Sequence, residues 1–383
     1  MIDFGFYSDR QSRSILQKLG DMSWTLLFLI IATCLVGFVM LYSVAGGSLE
    51  PWAGRQIARF FIGLSLFFIV AIVDVRVWLS ISYPFYLFAF VLVVAVEMAG
   101  TIGMGAQRWI NLGLFQLQPA ELMKIGLVLA LARFCHGLTP QDISRPLVLI
   151  IPILMIVVPT FFVVRQPDLG TAMLMFVGGA GTLFVAGASW IYFLSGGALG
   201  LLALIPAWSL LRDYQRDRVL TFLDPGRDPL GAGYHILQSK IALGSGGMFG
   251  KGFMQGTQSQ LDFLPEKQTD FIFTVLGEEW GLMGGLGLLC LYFLTLMMMY
   301  VLALQIRHQF GRLLVLGIAL MYFLYLFINI AMVMGLVPVV GEPLPFISYG
   351  GTSMMSLLIS FGLVMSAYIH RDIEIPRRPG AFG

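Results

Sequence analysis

Ten runs of mostly apolar residues govern what this chain can fold into: about 22–44, 57–73, 78–97, 119–136, 146–164, 170–187, 189–211, 271–304, 312–337 and 348–370. A helix needs roughly 20 such residues to cross a bilayer. In lipid every backbone polar group must be satisfied internally, so each run reads as a helix. Composition agrees. Apolar residues make up 58% of the chain and charged residues 11%, with a mean hydropathy of +0.86, against about 45–50% and 25% in soluble domains. The expected fold class is an all-α polytopic integral membrane protein, one membrane domain over 1–383. It has about ten transmembrane helices and a large extracytoplasmic loop, 212–270, between the seventh and eighth. The run 271–304 is too long for one perpendicular helix, so tilting or extension beyond the bilayer is expected.

An even number of spans puts both termini on one side. With the termini inside, the inner flanks hold eleven Lys and Arg and the short outer loops four, Arg55, Arg59, Arg108 and Arg165. The positive-inside rule then makes 1–21 and 371–383 cytoplasmic and puts the 212–270 loop outside. Residues 1–21 lack the short apolar core and small-residue cleavage site of a signal peptide, so the first span is expected to remain as an anchor. Cys34, Cys135 and Cys290 lie in spans without paired spacing and read as small core residues. A net charge of +2 with no basic run gives no support for nucleic acid as a partner.

Five places break the apolar pattern: 100–124, 165–171, 212–270, 277–281 and 338–351. The topology puts four of them at the outer face and the fifth two turns into the helix begun by Asp270, so all five are expected to converge on one site. Asp270 stands at the seam between the polar loop and the apolar run from Phe271. Its carboxylate reads either as a helix cap or as a group acting on a membrane-borne lipid.

Ionisable residues inside lipid are expensive and mark function by default. Glu121 and Lys124, spaced i, i+3, share a helix face. They read as a structural ion pair or as the lining of a substrate cavity. Glu278 falls roughly on the face of Asp270 and about 12 Å deeper at the helical rise, and is placed as a cavity residue. Glu279 points away, as a packing partner. Arg108, beside Trp109, is either a headgroup anchor or a phosphate clamp. Asp168 reads as a cap for the following helix.

The large loop carries seven Lys/Arg and seven Asp/Glu. Arg212, Arg216 and Arg218 form either a solvated cluster or a pyrophosphate site. Tyr234 to Leu243 suits a short interfacial helix. The glycine-rich stretch from Gly244 to Gly252 fails the P-loop pattern at Ser245 and Gly252. It reads as a flexible turn, or as backbone approaching a pyrophosphate with Lys251 nearby.

Several motifs then run in register along nearly the whole chain. They are Gly105-Ala-Gln-Arg-Trp-Ile, Gln118-Pro-Ala-Glu-Leu-Met-Lys124, Gln166-Pro-Asp-Leu-Gly-Thr171, Asp228-Pro-Leu-Gly-Ala-Gly-Tyr-His235, Gly256-Thr-Gln-Ser-Gln260, Phe263-Leu-Pro-Glu266, Thr269-Asp-Phe-Ile-Phe273, Pro343-Leu-Pro and Ser348-Tyr-Gly-Gly351. Together they resemble the SEDS family of peptidoglycan polymerases, and Gln258-Ser-Gln-Leu-Asp-Phe-Leu-Pro leans to its elongation branch over its division branch. One departure is Glu342, where the family usually has an apolar residue.

The resemblance implies ten membrane helices, lipid II as substrate and an essential aspartate at Asp270. It also implies sensitive charged positions at Arg108, Glu121 and Lys124. Class B penicillin-binding proteins, with other elongation-complex membrane proteins, are the implied partners. The reaction expected is an inverting glycosyl transfer with Asp270 as general base. Arg108, Glu121, Lys124, Arg216, Lys251 and Glu278 are the expected substrate-binding residues. No cofactor is required by the sequence, and a divalent cation, Mg or Mn, is left open at the pyrophosphate. A lipid II flippase and a non-catalytic scaffold for the transpeptidase are the rival readings.

Overall fold

The computed structural model describes residues 14–99, 101–103, 106–111, 116–210, 216–217, 220–222, 224, 232–261, 263–264 and 266–376. Arg212 and Arg218, and much of the Asp228 to His235 motif, lie outside the described residues.

Each of the ten apolar runs falls on a helix. They are α2 (Trp24–Val44), α3 (Ala53–Ile72), α4 (Val75–Ala99), α5 (Pro119–His136), α7 (Pro146–Arg165), α8 (Leu169–Val185), α9 (Trp190–Leu210), α12 (Ile272–Gln305), α13 (Gln309–Val333) and α14 (Gly351–Ile369). Seven of these are long and apolar enough to cross a membrane, α8 and α9 are shorter apolar helices, and α5 carries Glu121, Lys124 and Arg133. The protein is a multi-pass membrane protein. Four short helices complete the order: α1 (Ile15–Gly20), α6 (Pro140–Ile143), α10 (Ala232–Ser245) and α11 (Thr257–Gln260). The region read as an irregular outer loop forms a small antiparallel sheet, β1 (Thr101–Gly103), β2 (Ala106–Asn111) and β3 (Gln116–Leu117). Arg108 and Trp109 sit on its middle strand.

Helices α5, α13 and α14 are largely buried and form the centre of the bundle, while α4 shows most of its surface to the outside. Exposed Leu147, Leu154 and Phe161 on α7 fit contact with lipid tails. The starts of α2 and α13 meet the end of α14, at the end of the bundle opposite the 338–350 loop. Ser23 N donates to Met365 Sδ at 3.3 Å and Arg307 N to Arg371 O at 3.0 Å.

The long run behaves differently from the expectation. Helix α12 is broken at Gly281, whose φ of 66° and ψ of −162° are non-helical. The part after the break, 282–305, is about 36 Å long at the helical rise and crosses a bilayer alone. The part before it carries Asp270 just ahead of its first turn. Its far end meets Ser43 Oγ through Glu279 Oε1 at 2.5 Å, and its near end meets Asn329 through the Asp270 carbonyl at 3.0 Å. Ser43 and Asn329 lie at similar heights, about 29 and 30 Å along their helices. The half-helix therefore runs between the end of α2 and the end of α13. Glu278 is displaced sideways from Asp270, where the sequence reading put it deeper.

The glycine-rich stretch locks this break. Lys251 N and Gly252 N donate to Glu278 O and Glu279 O at 3.0 Å, and Leu282 N and Met283 N donate to Gly247 O and Met248 O at 2.9 and 3.1 Å. The two backbones approach so closely that a Cβ on Gly246 would come within 2.1 Å of Gly277 O, and one on Gly250 within 2.1 Å of Glu279 O. These glycines are neither a flexible turn nor a phosphate cradle, because the chain before the crossing helix uses their backbone groups. Helix α10 covers Tyr234 to Leu243, as read from the sequence. It packs against α12 and the end of α13, where Ser239 Oγ meets Thr274 Oγ1 and Val333 O, both at 2.8 Å.

Candidate active site

The first turns of α5, α8 and α14 and the last turns of α13 bring together the charged residues of separate loops. Pro119 opens α5, a position that suits proline because its missing N–H is an orphan there anyway. This puts Glu121 and Lys124 in the first two turns. Lys124 Nζ donates to Glu121 Oε1 at 2.8 Å, and both residues are buried. Tyr325 of α13 donates to both Glu121 oxygens at 3.0 Å, and Ser356 of α14 donates to Oε2 at 2.7 Å. Lys124 also donates to the Tyr325 hydroxyl. A buried pair repays its desolvation only when its remaining hydrogen-bonding capacity is met, and here two other helices meet it. The group borders a small cavity, about 30 Å³, that continues past Ile318, Met321 and Ser360. The structural ion pair is therefore seen: it ties α5, α13 and α14 together.

A second group adjoins it. Asp168 caps α8, accepting from Thr171 N at 3.3 Å. The same carboxylate accepts from Gln118 Nε2 at 3.2 Å and lies 3.6 Å from Arg108 Nε. Arg108 also donates to the Pro167 carbonyl. Its side chain is 22% exposed against 5% for Lys124, so Arg108 is the cation that a headgroup at the surface can reach. Thr171 Oγ1 donates to Glu342 Oε1 at 2.9 Å. Burial pushes the Glu342 carboxyl up to about 8, with Lys124 and the Thr171 hydroxyl pulling the other way and Asp168 and Glu121 adding to the rise.

Asp270 sits at the open edge. It is half-buried in the turn before α12. The residue at the cap position is Phe271, which makes no side-chain cap bond. Its Oδ2 lies against Gly341, where an added Cβ would be 3.3 Å away. The loop 338–350 holds the approach to it: Ser348 Oγ donates to Thr269 O at 2.6 Å and Tyr349 N to Gln268 O at 2.8 Å.

The convergence expected of the five breaks is thus seen for 100–124, 165–171, the end of 212–270 and 338–351. Glu278 is not part of it. It is fully buried, pairs with Lys251 Nζ at 2.7 Å, and accepts from Gln258 N and Ser259 N at 3.0 and 3.3 Å. Glu278 and Lys251, expected at the substrate, instead clasp the loop to the half-helix. Arg216 is half-buried in the short described piece Arg216–Asp217. The sequence reading passed over Tyr325, Asn329 and Ser356. The signal for Asn329 was an amide inside the apolar run 312–337, which deserved the weight given to buried charges. Among the described residues no group of three or more His, Cys, Asp or Glu is arranged to hold a metal ion. Asp270 would offer one carboxylate to magnesium, which commonly takes one or two carboxylates, with waters and substrate phosphates completing its shell.

The chain is 44% identical to the peptidoglycan glycosyltransferase MrdB of Escherichia coli K12, over 91% of this chain and 94% of that protein. It is 36% identical to stage V sporulation protein E of Bacillus subtilis, over 89% and 96%. Among solved structures it resembles the rod shape determining protein RodA of Thermus thermophilus, with a TM-score of 0.71, 31% identity and 92% and 98% coverage. It also resembles a chain from a study titled structural coordination of polymerization and crosslinking by a peptidoglycan synthase complex, with a TM-score of 0.82, 35% identity and 92% and 99% coverage. The family described as FtsW/RodA/SpoVE cell cycle protein matches residues 23–373, and the chain belongs to that family.

Proposed function

We propose that the protein is a peptidoglycan glycosyltransferase that polymerises lipid II at the outer face of the cytoplasmic membrane during cell elongation. The observation that carries this reading is the placement of Asp270. It is a half-buried carboxylate at the open edge of a charged site, backed by Gly341 and by the loop 338–350.

Asp270 takes the proton from the 4-hydroxyl of the acceptor N-acetylglucosamine as that oxygen attacks C1 of the donor N-acetylmuramic acid. The new C1–O bond forms as the bond from C1 to the pyrophosphate oxygen breaks, and undecaprenyl pyrophosphate leaves. A carboxylate needs only to reach the hydroxyl at hydrogen-bonding distance to act this way. Arg108 stabilises the departing charge, and a divalent cation, for which Asp270 is the available carboxylate ligand, would supply further charge neutralisation if bound. Lys124 acts from below, through its hold on Glu121 and Tyr325. The activated lipid makes a nucleotide unnecessary. A class B penicillin-binding protein is the proposed partner, crosslinking the strands as they emerge.

The test is polymerisation of lipid II by the purified protein with its transpeptidase partner. Glycan polymer from the wild type and none from Asp270→Ala supports the reading. Polymer at normal yield from that variant sinks the base assignment. Lipid scrambling in liposomes without polymer would identify a transporter, and neither activity would leave a scaffold.

A further inference from the structure

We infer that Asn329 is a positioning residue for the Asp270 carboxylate, an inference that rests on Asp270 being the general base. Asn329 lies in α13, wholly buried in an otherwise apolar stretch. An amide there is costly unless its hydrogen bonds are made. Asn329 spends both hydrogens of its Nδ2 on two loops distant in sequence: the Asp270 carbonyl at 3.0 Å and the Glu342 carbonyl at 2.7 Å. A primary amide has two donors on one nitrogen, so one side chain fixes residue 270 against residue 342.

That spacing matters because of Gly341. It precedes Glu342, has φ of +76°, and forms the wall against which Asp270 Oδ2 rests. Drawing residue 342 toward residue 270 sets the distance from carboxylate to wall. Glu342 is fixed from its other side by Thr171 at 2.9 Å and packs on Gly170, where a Cβ would meet it at 2.9 Å. Asn329 thus ties the base to the Asp168–Arg108 side of the site.

The rest of the loop contact is independent of this amide. Ser348 holds Thr269 O, and Tyr349 N holds Gln268 O. Losing Asn329 therefore leaves the two loops joined and frees the last joint, residue 270 itself. A misplaced base lowers the rate of the chemical step and leaves lipid binding largely intact.

Purified full-length wild type, Asn329→Leu, Asn329→Asp and Asp270→Ala are compared with lipid II and the transpeptidase partner. The readouts are kcat, KM and the melting temperature in detergent. Leu removes both donors, and Asp keeps the shape of the side chain while replacing the donors with acceptors. We expect kcat to fall about 100-fold in both Asn329 variants, the scale of a misplacement near 1 Å, with KM within about threefold of wild type. If Asn329→Leu does not fold, Asn329→Asp decides on the same readouts. A folded Asn329 variant with wild-type kcat, beside an inactive Asp270→Ala, overturns the inference while leaving the general base in place. A raised KM with unchanged kcat overturns it too, in favour of lipid binding. An active Asp270→Ala strikes the general-base reading itself.

Discussion

Glu342 is a carboxyl that the bundle keeps from ionising. Its folded value of about 8 lies above the ordinary 4.5, so the folded state holds a proton that the unfolded chain has released. Stability from this group is full below pH 4.5, falls as pH rises to about 8, and levels off beyond. Glu342→Gln should remove that slope. Melting temperatures across about pH 5 to 9 should converge with wild type at the acid end, and the Gln variant should be the more stable at the alkaline end. A wild type that gains stability over this window would refute the assignment. At this scale the sequence was informative where chemistry is local. Glu121 and Lys124 announce their pairing through i, i+3 spacing. Tyr325 and Ser356 do not, because nothing in a linear chain says that α13 and α14 meet α5 at Glu121.

Among the elements, the seam at Gly281 decides how the loop is held. Gly250 and Gly247 both have positive φ, 80° and 56°, yet only Gly250 faces backbone, with Glu279 O 2.1 Å from an added Cβ, while Gly247 has nothing within 4 Å. Gly247→Ala should therefore cost only the left-handed penalty of about 1 kcal/mol. Gly250→Ala should cost more than about 2 kcal/mol, since the strand must also move off the half-helix. Thermal melts of the two variants, with limited proteolysis at 246–256, check the difference. Equal losses would mean that close approach is irrelevant here. The existence of α10 was legible from Tyr234, Leu237 and Ile241 at helical spacing. The break in α12 was not, because one glycine among five in 277–287 looks like any other until the loop's carbonyls are seen to meet Leu282 and Met283.

For the whole molecule, hydropathy carried the ten helical segments, since lipid imposes that constraint along the chain itself. The proposed orientation can be tested directly. In a background with Cys34, Cys135 and Cys290 replaced by alanine, Glu50→Cys should react with a membrane-impermeant maleimide in intact spheroplasts. Gln141→Cys should react only after lysis. Both positions are exposed, at opposite ends of the bundle. The reverse pattern would place Asp270 in the cytoplasm. The seam at Gly281 has a further consequence at this scale. A continuous helix would transmit every adjustment to bilayer thickness, by tilting or sliding, straight to the residue at its head. Here the crossing part, 282–305, meets the half-helix through the non-helical Gly281, with Leu282 and Met283 held by loop carbonyls and Tyr292 by the Pro345 carbonyl at 2.6 Å. The half-helix is moored to Ser43 and Asn329 and to the loop around Gly250. A shift of the crossing part therefore reaches the carboxylate through these loop contacts and not along one rigid rod.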